Sequence, residues 1–330
     1  MTAPTETLTS HQNAAAPSVP GASDPGAEGR NPSAAPTLPQ PAAPKAPAAA
    51  PSRRQLLPRA TLGILAALLL GFAGDLTVLG RVRHARDQRI AYSEFRIDLA
   101  NAVAPVGQLD RNGKLLKLGT PVALLDIPAI GLREVVRAGT TAGVMRSGPG
   151  HRRDTPLPGQ LGTSIVMGRK AAYGAPFRKI STLVSGDVIT ATTGQGKHTY
   201  QVIGIRRAGD EVPVLQARGR LTLVTADGAA FAPSGVIYVD ADLTSKARVT
   251  PDRVFRRASL PKSELVMAND PSAWILVVLW AQALLAAALA LAWTLRRWGK
   301  WQTWIAGVPV LLALGLALAD QAAHLLPNVL

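Results

Sequence analysis

The chain contains no cysteine and five histidines, His11, His84, His151, His198 and His324. Without a thiol there is no cysteine nucleophile, no disulfide, no thiolate-held zinc and no iron–sulfur cluster. His84, His151 and His198 are the histidines open to a folded centre, and no spacing among them and the acidic residues makes a metal motif. No metal and no cofactor is therefore expected. His151 and His198 read as solvent-facing loop and strand-end residues. Asp75 sits in an apolar run, and Asp320 and His324 lie four apart on one face of another. A carboxylate so placed needs a partner, so an Asp75–His324 contact between two helices is the expectation.

These residues must be held by segments of different kinds. Residues 1–52 contain 11 Pro and 14 Ala, no Phe, Tyr or Trp and five charged residues. Such a stretch cannot bury enough apolar surface to offset its chain entropy, so residues 1–59 read as a disordered cytoplasmic tail. Residues 60–80 carry one charge, Asp75, and residues 273–295 carry none up to Leu295. At about 1.5 Å per residue, each is long enough as a helix to cross the ~30 Å bilayer core. A third apolar stretch, residues 303–326, contains Pro309. All six Trp fall between Trp274 and Trp304, mostly at the ends of the last two apolar runs, where indoles favour lipid headgroups.

Arg53, Arg54 and Arg59 precede the first run, and Arg296, Arg297 and Lys300 join the last two. With these short basic loops cytoplasmic, residues 81–272 lie outside the cell membrane, against the contrary pull of Arg81, Arg83, Arg86 and Arg89. That segment holds 28 Lys plus Arg against 16 Asp plus Glu, most of the chain's net +15. Residues 81–118 read as a juxtamembrane helix and linker, with Ile90, Phe95, Ile97, Leu99 and Val103 turned toward the domain. From residue 119 the pattern changes to short β-rich runs beginning at Val122, Arg133, Thr163, Asp187, Thr199, Arg220 and Gly235, separated by Gly and Pro. Seven such runs argue for a closed barrel or a sandwich at residues 119–245, with one short helix at Phe177–Val184 and a linker at 246–272.

An ordered series of motifs carries a resemblance. LDIPAIGL runs from Leu125 to Leu132, GPGH from Gly148 to His151, LPGQLGTS from Leu157 to Ser164, and GRKAAYGAPF from Gly168 to Phe177. Gly186-Asp187, YQV at Tyr200–Val202, LTLVTA at Leu221–Ala226 and VDADL at Val239–Leu243 complete it. The series resembles the sortases, membrane-anchored cysteine transpeptidases, most closely the actinobacterial class E type. The resemblance implies a mainly β fold, an eight-stranded barrel, here flanked by transmembrane helices.

Carried over residue by residue, the resemblance puts Arg169 where the family has its histidine, Ala226 where it has its nucleophilic cysteine, and about Val236 where it has its arginine. Acyl transfer by that route needs a nucleophile, a proton carrier and a charge partner for the oxyanion. Alanine offers a methyl group, and a guanidinium stays protonated at physiological pH. No catalytic residue is therefore expected. Thr225 and Ser234 flank the lost nucleophile but read as a strand hydroxyl and a turn residue. The remaining groove, Arg169, Lys170, Tyr173, Thr225 and Ala226, offers fixed cations for a carboxylate or phosphate and an aromatic surface beside them.

The expected function is a membrane-anchored, catalytically inactive sortase-like protein that binds or scaffolds a cell-surface protein, a sorting-type peptide or an anionic wall polymer, beside an active sortase. The alternatives are a transpeptidase or hydrolase using non-standard residues, and a structural subunit of a membrane complex. A basic surface also suits nucleic acid, but external placement and the lack of any binding motif argue against that partner.

Overall fold

The computed structural model describes residues 66, 68–215, 218–297 and 300–330. The tail at 1–59 and its arginines, residues 60–65 and 67 of the first apolar run, and Trp298 lie outside the described residues. Eight strands form the body: β1 Pro121–Ile127, β2 Leu132–Ala138, β3 Gly150–His151, β4 Gly162–Met167, β5 Val188–Thr193, β6 Gly196–Arg207, β7 Gly219–Ala229 and β8 Ala232–Leu243. They close into a barrel in the order β1-β2-β3-β4-β7-β8-β6-β5. The β2/β3 and β4/β7 pairs are parallel and the rest antiparallel.

Alternation drives the closure. In β5 and the first half of β6 every second residue is buried, the period-2 pattern of a sheet with one face on a core. Leu125, Ile127, Ile189, Leu221, Leu223 and Val239 meet inside with no exposed surface. The seven β-rich runs each lie in a strand. β3 is two residues long, too short for any periodicity to reveal. The expected helix at Phe177–Val184 is replaced by a single 3-10 turn, Ile180–Thr182. There the Thr182 hydroxyl donates to the Lys179 carbonyl (2.8 Å), competing with helical hydrogen bonding, and Ile180 is already buried by one turn.

Residues 68–74 are helical and continue through a π-helical turn, Asp75–Leu79, into α1, Gly80–Ala100. No break separates an apolar helix from a juxtamembrane one. Phe95 is buried on the barrel side of α1, whereas Ile90 and Ile97 are exposed, so the seam is more polar than the sequence suggested. Gln88 supplies its centre: its amide nitrogen donates to the carbonyls of Val135 (3.2 Å) and Ser147 (2.7 Å), and its oxygen accepts from Val135 N–H (2.7 Å). His84 bonds Glu134 at 2.7 Å. Burial lowers the pKa of His84, but the hydrogen bond and charge of Glu134 outweigh that and leave it raised.

After the barrel, residues 244–272 wrap back over it, and α2, Ala273–Arg297, packs with α3, Lys300–Ala322. Residues Ala273–Thr294 and Ile305–Leu325 are long and apolar enough to cross a membrane. Pro309 lies inside α3 without ending it. Gly307 permits the close approach of the two helices, since a Cβ there would sit 2.4 Å from the Leu291 side chain.

Candidate binding cleft at one end of the barrel

Of the three positions singled out in sequence, Ala226 and Val236 lie on neighbouring strands and Arg169 follows the end of β4. β4 runs parallel to β7 with Met167 opposite Val224, and Gly168 N–H continues the ladder onto the Val224 carbonyl at 3.0 Å. The Thr225 hydroxyl then donates to the Gly168 carbonyl at 2.8 Å. Arg169 is the next residue, and Ala226 on β7 pairs with Val236 on β8. Gly168 is constrained by the Phe177 ring, which a Cβ would meet at 2.4 Å, so the chain can pass between strand and ring only as glycine.

Arg169 is fully buried. Its Nη2 donates to the Ala142 carbonyl at 3.1 Å, while Nε and Nη1 have no protein partner. Its guanidinium carbon stands 5.1 Å from the centre of the Tyr173 ring, and that of Arg146 stands 5.0 Å from it. Tyr173 adopts φ +49°, is buried and leaves its hydroxyl without a protein partner. Burial lowers the pKa of Arg169 to about 10, against the raising effect of Tyr173. The group is thus a cation at neutral pH and no proton shuttle. Burial also raises the pKa of Tyr173. Lys170 is only partly buried, and its backbone N–H faces the cleft.

Met145, Met167, Val224, Ala226 and Val236 form an apolar cluster, buried together with Val329 from the far end of the chain. Asp227, beside Ala226, points outward to Arg207 at 2.8 Å, and that hydrogen bond is the first cause of its lowered pKa. Thr225 spends its hydroxyl proton on Gly168 and is not free to act as a nucleophile. Ser234 sits at the β7–β8 turn, where a Cβ on Gly228 would meet its hydroxyl.

Two histidines are placed differently from the sequence reading. His151 is buried, not on a surface loop; its Nε2 lies 2.9 Å from the Pro156 carbonyl and 3.2 Å from the Thr155 hydroxyl. Burial lowers its pKa to about 4. His198 is buried under Gly159 and lies 3.3 Å from the Thr193 hydroxyl, because its side chain falls on the inward side of β6. The expected Asp75–His324 hydrogen bond is absent among the described residues. Asp75 instead faces Arg83 at 3.3 Å, and His324 lies 2.9 Å from Arg146. Arg83 (3.0 Å), one turn beyond the apolar part of the same helix, and Arg146 from the barrel domain both reach Asp320. No group of three or more metal-ligating side chains occurs among the described residues.

Arg146 and the segment around Asn328 and Val329 were not picked out from sequence. Arg146 is one arginine among many, with nothing local to mark it. Pro327 and Asn328 do interrupt an otherwise apolar ending, and that interruption was the available signal.

Residues 125–243 match the sortase domain family. No curated protein matches the chain. Among solved structures, sortase E from Streptomyces avermitilis is 30% identical over 39% of this chain and 91% of that one, with a TM-score of 0.34. A Clostridium perfringens sortase D5 transpeptidase is 23% identical over 48% of this chain and 99% of that one, with a TM-score of 0.40. Sortase E1 from Streptomyces coelicolor, solved with a tripeptide in the active site, is 22% identical over 39% and 91%, with a TM-score of 0.34.

Proposed function

We propose, from the sortase domain at residues 125–243, that the chain is a membrane-anchored, class E-like sortase relative that binds a surface ligand without acyl transfer. One observation supports this reading above the others. The positions matched to the family's chemistry by motif hold an arginine two residues past the end of β4 and an alanine and a valine paired between β7 and β8. The cleft has no nucleophile, and its buried cation cannot exchange a proton near neutral pH. Arg169 keeps Nε and Nη1 without a protein partner beside the Tyr173 ring, a setting that favours a carbonyl or carboxylate oxygen.

The binding groove in this reading is Arg169, Lys170, Tyr173, Thr225 and Ala226, and its ligand is a surface protein, a sorting-type peptide or an anionic wall polymer. The two apolar C-terminal helices and the first apolar run anchor the chain in the cell membrane, with the barrel outside and residues 1–59 in the cytoplasm. The net positive surface draws anionic partners to it.

The test is to incubate the purified full chain with a fluorescent sorting-type peptide and an amine acceptor. Binding without a transpeptidation or hydrolysis product is expected, and product formation overturns the reading. A companion variant restores the missing groups: Ala226→Cys with Arg169→His and Val236→Arg is expected to gain transpeptidation above the unaltered chain.

A further inference from the structure

Beyond α3 the chain returns to the barrel. A 3-10 turn at Ala323–Leu325 leads into Leu326, and Pro327–Leu330 form a β-turn closed by Leu330 N–H on the Pro327 carbonyl at 3.1 Å. Asn328, Val329 and Leu330 are all buried. The Asn328 side-chain amide donates to the carbonyls of Thr140 (2.7 Å) and Leu265 (2.8 Å), and its backbone N–H donates to the Ala268 carbonyl (2.8 Å). The Val329 carbonyl accepts from Lys170 N–H at 3.1 Å, and its side chain enters the apolar cluster that contains Ala226 and Val236.

The segment is held by main-chain groups, and only the Asn328 Oδ1 is left buried without a partner among them. Three fixed carbonyls accept from Asn328, one fixed N–H meets Val329, and a small apolar pocket takes a β-branched side chain. All four polar groups on the barrel side belong to the main chain, so their positions are set by the fold and not by side-chain rotamers. An aspartate at position 328 would face two carbonyls with oxygen and no proton to share. The connection to α3 runs through His324, whose carbonyl accepts from Asp270 N–H at 3.0 Å and whose ring lies by Arg146.

We propose that the cleft is a receptor for a Pro-Asn-Val-Leu turn, that residues 326–330 are its resident occupant, and that a second peptide of the same chemistry enters only when they leave. The inference rests on reading the cleft as a binding site and adds the ligand it recognises. Because the resident segment is tethered, its effective concentration is high, and a free peptide competes at a disadvantage.

The probe is a capped, fluorophore-labelled hexapeptide, Leu-Leu-Pro-Asn-Val-Leu, titrated by anisotropy against the full chain in detergent micelles, a chain ending at Leu325, and the full-length variant Asn328→Asp. The last ejects the segment without shortening the chain and so guards against misfolding of the truncation. Both altered chains are expected to bind the probe at least tenfold more tightly than the unaltered chain, and a probe with Asp for Asn is expected to lose binding to all three. Equal affinity across the three chains overturns the self-occupancy while the binding reading stands. If the hexapeptide binds none of them but a sorting-type peptide binds the altered chains, the proposed recognition falls alone. If neither peptide binds any chain, the binding reading falls with it.

Discussion

The barrel wall and the Arg169 end of it differ in how their unpaired buried polar groups are distributed. In the wall, Asp240 accepts from Arg206 Nε (2.7 Å) and from the Thr222 hydroxyl (2.6 Å), and the Tyr200 hydroxyl accepts from Gly159 N–H. His151 is kept neutral between a carbonyl and a hydroxyl. At the cleft, two N–H groups of a fully buried arginine and the hydroxyl of a buried tyrosine lack protein partners. Leaving a buried donor unmatched costs about 1–3 kcal/mol, so the two regions are built to different ends. The wall leaves Ser164 Oγ, Glu134 Oε2 and Arg137 Nε without partners on separate residues, whereas Arg169 and Tyr173 leave theirs side by side, where one ligand could meet them.

The largest effect should come from the wall. Phe177→Ala removes a fully buried ring that also fixes the passage of Gly168, and a loss of about 3–5 kcal/mol is expected in chemical unfolding followed by far-UV circular dichroism. A loss below that of an exposed substitution would show that the wall is no better packed than the cleft.

Acid should reveal the second effect. The folded pKa of His151 is lowered to about 4 against an ordinary value of 6.5, so the folded state favours the neutral ring. The stability this gives is fully present above pH 6.5 and is lost as pH falls from 6.5 toward 4, by roughly 3 kcal/mol at the lower end. Unfolding midpoints measured across that window should fall for the unaltered chain and stay flatter for His151→Gln.

The smallest effect carries the opposite sign. Arg169→Met replaces a buried cation with an apolar chain of similar length beside Met145 and Met167, and a gain of about 1–3 kcal/mol is expected, with weaker binding of the peptide probes. A destabilised Arg169→Met would mean that the arginine belongs to the wall's logic and that the contrast between the regions is false.

The barrel was readable because its signal is local and repeated: runs such as Val122–Ile127 and Leu221–Thr225 carry their β character in composition and spacing. β3 was hidden because two residues cannot display a period, and the Ile180–Thr182 turn because a hydroxyl competed with the helix. The cleft was half legible. Arg169, Ala226 and Val236 were singled out by motif order, and strand pairing joins the last two. Val329 was not found, since nothing in Asn328-Val329 states that a segment over a hundred residues beyond β4 folds back onto it. His151 and His198 were misplaced for a related reason: which way a strand-end side chain points depends on register, and one residue of shift reverses it.

The Gln88 contact has a practical side. β3 covers β2 only at Arg137 and Ala138, so the backbone of Val135 presents an open sheet edge, and the Gln88 amide closes it by imitating a strand. An uncovered edge invites pairing with another molecule and aggregation. A soluble fragment cut at residue 119 would lose this cover and self-associate, whereas one that begins at Gly80 carries its own stopper. Helix α1 is, for the barrel, a guard against its neighbours.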